Sequence, residues 1–432
     1  MTSEFSIDAD WTSADHGLEE VRQTSAFLQI AFNGRVATSV KDEWSRTVHD
    51  RVRLSAYPLA LWFASSWWRL KWEPAPSGTP NVTWRMAHEL AAAGYGFLWP
   101  RLAFDSDGET VDVVCRATPP DSKEPIRYLD DFRASVPADA FEQTIDHFVD
   151  LVVARLDAVG VRDTTLHALW REVRAERADA ETSFYRQLEA ELGFEPDEAP
   201  EGVIGKLQDL TSHAGKAAVT EIASACSGKD SATTLERLIQ FTQSNGLQGE
   251  VRLPEGILRT LSDSTYRAGA PWERGRLIAR SAREAWGLGG DSVEDETLAE
   301  IFGVGASAVQ QQDGAPSESP LGMAIRNGSD RLKLLFRRRN RSGRRFEAAR
   351  FLADHVMAPA GDCWLPATDS KTARQKMQRA FAAEFLCPID ALRAFLGDNF
   401  SNEAIEEAGE RFSVSPLAVR SHLALNGLLP PF

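Results

Sequence analysis

The chain has 432 residues, of which 43% are hydrophobic and 26% are charged, and its formal net charge at pH 7 is −15. A chain of this length can build more than one hydrophobic core, and its composition is that of a globular protein. The acidic balance argues against general binding to nucleic acid or anionic membranes, because contacts to phosphate need a basic surface.

Cysteine usage and the N-terminal composition predict a cytoplasmic protein. The four cysteines, Cys115, Cys226, Cys363 and Cys387, show no CxxC spacing. This pattern favours reduced thiols over a disulfide framework or a structural zinc site. The first 17 residues are polar and acidic, unlike a secretory signal peptide. No run of about 18 apolar residues occurs, so no membrane-spanning helix is predicted.

Residues 1–160 are predicted to form an N-terminal α+β domain of unknown role, with residues 1–20 as a loosely packed lead. Asn33-Gly34 and Asp107-Gly108 each separate two β-prone runs. Both dipeptides tolerate the positive φ angles of tight hairpin turns, so each predicts a pair of strands.

Two helices of this domain carry the clearest apolar patterns. Residues 54–68 have helical spacing with Pro58 in the first turn, and residues 141–156 place apolar side chains on one stripe. Four tryptophans lie near the first of these helices: Trp62, Trp67, Trp68 and Trp72. Since tryptophan buries a large area, we expect an aromatic core in preference to an exposed binding face.

His88-Glu89 resembles the start of a zinc-binding His-Glu-x-x-His helix. The residue four positions after His88 is Ala92, so a second ligand on the same helical face is missing. A helix with one polar edge is the better interpretation. We therefore predict no metal site here.

Residues 161–252 are predicted to be a helical connector, because they are rich in Ala, Glu and Arg and are interrupted by an acidic break at 194–200. Beyond residue 253 the pattern changes. Helices predicted over 271–286 and 293–302 precede a surface loop over 310–320 and a strand pair over 321–325 and 331–336.

Two helical runs near residues 344–355 and 372–386 carry a family resemblance. The first contains Arg345-Phe346 followed by Ala349, and the second contains Phe381-Ala382-Ala383 followed by Leu386 and Pro388. These phrases resemble the Arg-Phe-x-x-Ala lead-in and the Ala-x-x-Phe-Ala-Ala-x-Leu-Leu-x-Pro helix of the ImmA/IrrE metallopeptidase-like family. The resemblance covers about residues 255–432. It implies a zincin-like peptidase domain over 253–400 and a helix–turn–helix-like tail over 401–432.

The resemblance also implies where the metal ligands would be, and those residues are absent. Zinc in this family needs two histidines at i and i+4 of one helix, a glutamate after the first histidine as general base, and a carboxylate from the later helix. The aligned positions hold Arg350, Asp354, Phe351 and Gln375. Arginine cannot ligate zinc and phenylalanine cannot accept a proton. The motif is therefore degenerate, and we predict no catalytic residue, no metal and no cofactor.

Two ideas remain for the degenerate site. Arg350 and Asp354 are four residues apart on a helix, so they either form an ion pair in the former metal site or both face solvent. Alternatively, His355, Cys363 and Asp369 form a rearranged metal site.

Residues 331–345 are strongly basic against an acidic chain. The candidates for anion binding are Arg337, Arg338, Arg339, Arg341, Arg344 and Arg345. The alternative is internal pairing with the surplus of Asp and Glu, which we favour because a strand and its adjoining helix need not present all these side chains on one face.

The tail has helix–turn–helix character. Ser415 is a suitable N-cap and Pro416 suits the first position of the last helix. Only Arg420, Ser421, His422 and Asn426 offer polar contacts for DNA on that helix, and the preceding helix carries four glutamates. Packing of the tail against the peptidase-like domain is therefore expected over DNA recognition.

The sequence thus predicts an α+β, predominantly helical, multi-domain protein with small mixed or antiparallel sheets. The leading function is a non-catalytic, regulatory or scaffolding pseudo-peptidase that binds a protein partner. The resemblance implies a bacterial stress, mobile-element or phage-defence setting. The alternatives are a metallopeptidase with a rearranged metal site and a nucleic-acid-associated regulator using the basic run and the tail.

Overall fold

The computed structural model describes residues 5–76, 78–228, 230–262, 269–306 and 319–430. The chain forms two compact units, Met1–Ala199 and Pro200–Phe432. Both units combine helices with small antiparallel sheets, so the predicted α+β class is confirmed. The boundary between the units lies between Ala199 and Pro200, inside the segment 161–252 that was predicted to be a helical connector.

The first unit contains antiparallel sheets of three or four short strands. Its strands are β1 (Phe5–Trp11), β2 (Ser25–Phe32), β3 (Arg35–Val36), β4 (Val40–Asp42), β5 (Val48–His49), β6 (Val52–Ser55), β7 (Arg101–Ser106), β8 (Thr110–Arg116), β9 (Ile126–Tyr128) and β10 (Phe132–Pro137). The strand orders are β1-β2-β3 with β6 also paired to β2, then β10-β8-β7, and β5-β4-β9.

The helices of the first unit pack against these sheets. They are α1 (Glu19–Gln23), α2 (Ala56–Ser65), α3 (Trp67–Trp72), α4 (Val82–His88), a 3-10 turn (Leu90–Ala93), α5 (Ala138–Ala158), α6 (Thr165–Ala178) and α7 (Ala180–Glu191). The predicted apolar stripe of α5 is buried. Trp62, Trp67 and Trp68 are buried and Trp72 packs against the same core, which confirms the aromatic core.

Strand β1 corrects the expectation of a loosely packed lead. It pairs with β2 along its whole length, from Phe5↔Phe32 to Trp11↔Ala26. Phe5 is buried and its ring stacks on Phe32 with centroids 4.6 Å apart. The alternation of apolar residues at every second position puts one face of this strand on the core.

Both predicted hairpins are present. Asn33 and Gly34 have φ angles of 51° and 79° and join β2 to β3. Asp107-Gly108 lies at the turn between β7 and β8, with Gly108 at a φ of 92°.

The second unit is built around one sheet, ordered β11-β13-β12-β14. The strands are β11 (Leu247–Glu250), β12 (Gly322–Arg326), β13 (Arg331–Leu335) and β14 (Trp364–Ala367). The helices are α8 (Glu201–Ala214), α9 (Lys216–Ala225), α10 (Ser231–Gln243), α11 (Glu255–Ser262), α12 (Pro271–Ala285), α13 (Asp295–Ile301), α14 (Arg341–Met357), α15 (Ala373–Leu386), α16 (Ile389–Leu396), α17 (Asn402–Phe412) and α18 (Pro416–Leu425).

The predicted pair β12–β13 is confirmed, whereas β11 and β14 were not expected. The predicted loop over 310–320 lies almost wholly outside the described residues.

Helices α14 and α15 pack together in the core of the second unit, and α15 also packs on α12. The approach of α12 to α15 depends on Gly275, because a Cβ there would lie 2.3 Å from the carbonyl oxygen of Met377. Only glycine allows this backbone contact. The packing brings the aligned positions of α14 and α15 next to each other.

Candidate functional site

The candidate site lies where α14, the end of β14 and the start of α15 meet. Asn340 caps α14 by accepting a hydrogen bond from the Gly343 N–H, and Thr372 caps α15 by accepting one from the Gln375 N–H. These caps fix where each helix begins, and so fix which side chains point between the helices. Arg350 and Gln375, two of the degenerate positions, are in direct contact there.

Arg350 is held by neutral acceptors. Its Nη2 donates to Gln375 Oε1 and to the Thr368 carbonyl oxygen, the latter at 2.6 Å. Gln375 is oriented by the Thr368 N–H, which donates to its Oε1 at 2.9 Å, and by the Pro366 carbonyl, which accepts from its Nε2 at 2.9 Å. Burial lowers the pKa of Arg350 to about 9, and the neighbouring Arg379 acts in the same direction. The guanidinium therefore stays charged at neutral pH.

Asp354 does not pair with Arg350, and both side chains are buried. The predicted ion pair and its alternative, that both side chains face solvent, are therefore both wrong. Both carboxylate oxygens of Asp354 accept from Arg374, each at 2.8 Å, and Arg374 also donates to Asp362 at 2.6 Å. Although burial opposes the charge, Asp354, Glu221 and Asp362 keep the pKa of Arg374 above its ordinary value. A bidentate pair with a residue from another helix outweighs the weak i,i+4 contact along one helix.

Phe351, where the resemblance would place the general base, belongs to the hydrophobic core. It is fully buried and its ring lies 5.4 Å from that of Phe336. An aromatic ring in this position can neither hold nor move a proton.

The described residues bring no three His, Cys, Asp or Glu side chains together in an arrangement that fits a metal ion. This includes the rearranged set. Burial lowers the pKa of His355 to about 4, and Arg326 lies against its Nδ1. Cys363 is exposed, while Asp369 is bound by Arg337 at 2.9 Å. An imidazole, a thiol and a carboxylate are all possible zinc ligands, but these three side chains are not brought together around one point.

Most of the basic run is paired inside the second unit. Arg337 and Arg338 both donate to Asp369, and Arg341 donates to Asp295 at 2.7 Å. Arg345 is buried against the same Asp295. Arg344 is also buried, whereas Arg339 is exposed. The six arginines therefore do not form one continuous anion-binding face.

The tail packs through the side chains that were candidates for DNA contacts. His422 is buried, with Nε2 3.2 Å from Glu384 Oε2 on α15. Asn426 accepts from Arg276 of α12, and Arg420 donates to Asn402 of α17. Ser415 caps α18 as predicted. These contacts agree with the expectation that the tail packs on its own unit.

The sequence reasoning missed Arg374, Asp362, Glu221 and Arg379. Arg374 lies beside the predicted Gln375, but nothing in its local pattern indicates that it turns inward. Glu221 accepts from Thr372, 151 residues away, at 2.8 Å. Glu221 and Thr372 come into contact only through the tertiary structure.

His88 is a core histidine, so the expectation that it lies on the polar edge of a helix is wrong. It is fully buried, its Nε2 lies 3.0 Å from Glu73 Oε2, and its Nδ1 lies 3.0 Å from the Phe104 carbonyl oxygen. Trp84 stacks on the ring at 4.2 Å. Both nitrogens are thus occupied by contacts within the first unit.

A groove of about 600 Å³ lies on the first unit, lined in part by Asp10, Phe27, His49 and Arg51. Asp10 and Arg51 pair at 2.6 Å. None of the candidate site residues predicted from the sequence lines this groove.

Comparison of the chain with protein-family models, with curated proteins and with solved structures finds no match. Within the described residues, no helix has both the length and the apolar character needed to cross a bilayer.

Proposed function

We propose that residues 255–432 form a degenerate, zincin-like relative of the ImmA/IrrE-type peptidases, and that the chain acts as a non-catalytic regulatory or scaffolding protein that binds a protein partner. The observation that supports this most is the contact between Arg350 and Gln375. These residues occupy two of the three positions where the resemblance would place zinc ligands.

The chemistry of these residues fits binding better than hydrolysis. A guanidinium has no lone pair for a metal, and Asp354 is committed to Arg374. Phe351 provides no base. A scaffold that keeps the two helices of a peptidase cleft, but fills the space between them with hydrogen-bonded side chains, can still hold a partner. We expect the partner to be a regulator in a bacterial stress, mobile-element or phage-defence setting.

Restoring the ligands tests the structural part of this proposal. The variant R350H/D354H/Q375E should bind about one zinc ion per chain, because it rebuilds two histidines at i and i+4 and a carboxylate on the facing helix. The matched control R350H/D354A/Q375E lacks the second histidine and should bind zinc far more weakly. Zinc is measured by elemental analysis and by competition with a chromogenic chelator. Failure of the folded first variant to bind zinc would contradict the proposed relationship.

Partner binding is tested on the unmodified chain. The tagged protein is purified from its native host without added metal, and any co-eluting protein is analysed by intact mass. An uncut partner supports a holding role. Stoichiometric zinc in the wild-type protein, or a partner cleaved at one site, would instead indicate a peptidase.

A further inference from the structure

Arg350 on α14 and Arg379 on α15 are neighbouring cations that no described carboxylate pairs with directly. Among the described residues, Arg350 forms hydrogen bonds only through Nη2, to the Thr368 carbonyl and to Gln375. Within the same part of the chain, Arg379 donates only to the Ser370 carbonyl, at 2.9 Å. Their acceptors, the Thr368 and Ser370 carbonyl oxygens, are two residues apart in the segment before α15, so the two guanidinium groups lie near each other. Guanidinium groups are well suited to binding oxyanions.

Two buried polar atoms of α14 and α15, Arg350 Nε and Gln378 Oε1, have no hydrogen-bond partner among the described residues. Arg350 is only 5% exposed, and its Nε has no hydrogen-bond partner among the described residues. The buried Gln378 donates through Nε2 to the Pro366 carbonyl at 3.0 Å. Its Oε1 accepts no hydrogen bond from any described residue. A buried charged donor without a partner is costly, so a ligand that accepts from it would be stabilised.

The surrounding charges leave a positive surplus at this pair. Asp369 interacts with both arginines over a longer distance, but its oxygens accept directly from Arg337 and Arg338. The buried Glu347 accepts the backbone N–H groups of Arg337 and Arg338. A third carboxylate, the buried Glu221, acts on Arg379 and accepts from the Thr372 hydroxyl at 2.8 Å. All three carboxylates are thus engaged by other donors.

The site is reached from solvent at its Arg379 end. Arg379 and Ser370 are partly exposed, and Lys371 is exposed. Arg350 is buried, so the Arg379 end of the pair is the more accessible one.

We propose that Arg350 and Arg379 form an oxyanion-binding site that takes a phosphate group in preference to a carboxylate. Both ligands accept from the arginines. A monohydrogen phosphate can in addition donate its O–H to Gln378 Oε1, which a carboxylate cannot do. This site does not depend on the proposed partner-binding role, since a small anion binds here with or without a protein partner.

Titration calorimetry of the full chain with inorganic phosphate, at constant ionic strength, tests the proposal. We expect saturable binding with a stoichiometry of about one. R379Q should weaken it by about tenfold or more, the size expected for loss of a charge-assisted hydrogen bond. R350M should abolish it. The matched control R339Q removes an exposed charge from the same basic region and should leave the affinity unchanged.

A parallel titration with acetate identifies the chemistry of the ligand. Binding of phosphate alone supports a phosphoryl ligand, whereas equal binding of acetate supports an oxyanion site but overturns the preference for phosphate. If R350M does not fold, as judged by circular dichroism, the phosphate affinity of R379Q compared with that of R339Q tests the proposal. The inference is overturned if neither anion binds the wild-type chain, or if R379Q binds phosphate as tightly as R339Q.

Discussion

In the first compact unit the buried arginines are paired with carboxylates, whereas the second unit contains both paired arginines and arginines that, among the described residues, bond only to neutral groups. In the first unit, Arg69 is bonded to Glu73 and Glu195, and Arg186 is bonded to Glu176, Glu189 and Asp197. In the second unit, Arg374 is likewise bonded to Asp354 and Asp362. Arg350 and Arg379, within the described residues, bond only to neutral groups.

This difference distinguishes arginines whose charge stabilises the fold from arginines whose charge can bind a ligand. A buried cation with its own carboxylates is part of the fold, and removing one partner leaves the other uncompensated. Arg283 also donates only to carbonyl oxygens among the described residues, but none of its buried donor atoms lacks a partner. Arg350 has neutral partners and an Nε with no partner among those residues, so it can still bind an anion. The comparison therefore assigns Arg69, Arg186 and Arg374 to stability, and Arg350 with Arg379 to binding.

The largest effect is expected from R374M. This change leaves Asp354 and Asp362 buried without their cation, so it should lower the free energy of unfolding by about 3–5 kcal/mol. The pKa values of Asp362 and Glu221 are already raised by burial, and the loss of Arg374 raises them further. The stability deficit should therefore be largest at high pH and should narrow as the pH falls and these groups become protonated.

Urea unfolding across a pH series measures this effect. The control R252M removes an arginine whose side chain is 82% exposed, and it should change stability by less than about 0.5 kcal/mol. An R374M deficit that is small, or independent of pH, would contradict the structural role of Arg374.

A smaller effect is expected from E73Q in the first unit. Burial raises the pKa of Glu73, but hydrogen bonds from His88 and Arg69 outweigh it and hold the pKa below the ordinary 4.5. The ionised carboxylate therefore stabilises the fold above that pH, and this contribution is lost as the pH falls through the lower, folded value. We expect a loss of about 2–3 kcal/mol at neutral pH.

The same unfolding measurement below pH 4.5 should show a reduced difference between E73Q and the wild type. E195Q is the matched control, because Glu195 bonds the same Arg69 but is 38% exposed at its side chain. Equal effects of the two changes would argue against burial as the cause.

G215A tests the packing around Asp362. Gly215 has a φ of +97°, and an added Cβ would lie 2.2 Å from Asp362 Oδ1. Both the backbone strain and the overlap should destabilise the protein, by about 1–3 kcal/mol. The control G228A has a similar φ of +107° with no described atom within 4 Å of the added Cβ. A thermal melt of both variants separates the overlap from the strain, and equal shifts would show that Asp362 plays no part.

The smallest effect is expected from N426A in the tail. Asn426 accepts from Arg276 and donates to the His422 carbonyl at 2.8 Å. Its loss should reduce stability by about 1 kcal/mol and increase amide exchange in α18. N402A removes an exposed contact with Arg420 and should have less effect. Unchanged exchange in α18 of N426A would show that the tail is held by apolar packing alone.

Local signals in the sequence were enough for much of the fold. Asn33-Gly34 and Asp107-Gly108 specify hairpins because their backbones accept positive φ, and Ser415-Pro416 specifies the start of α18 for equally local reasons. Strand β1 was missed because its alternating pattern is short and lies in a polar stretch. Strand β14 was missed because its pairing with β12 joins residues about 40 positions apart.

The sequence by itself determined which chemistry the second unit lacks. The guanidinium of Arg350 has no lone pair for zinc, and the ring of Phe351 cannot accept a proton, in any fold. Only the tertiary structure decided which charges meet. Asp354 pairs with Arg374 and not with Arg350. Glu221 on α9 accepts a hydrogen bond from Thr372, which lies 151 residues later in the chain. Ion pairing between helices depends on where packed side chains end in space, and that placement is not encoded in local spacing.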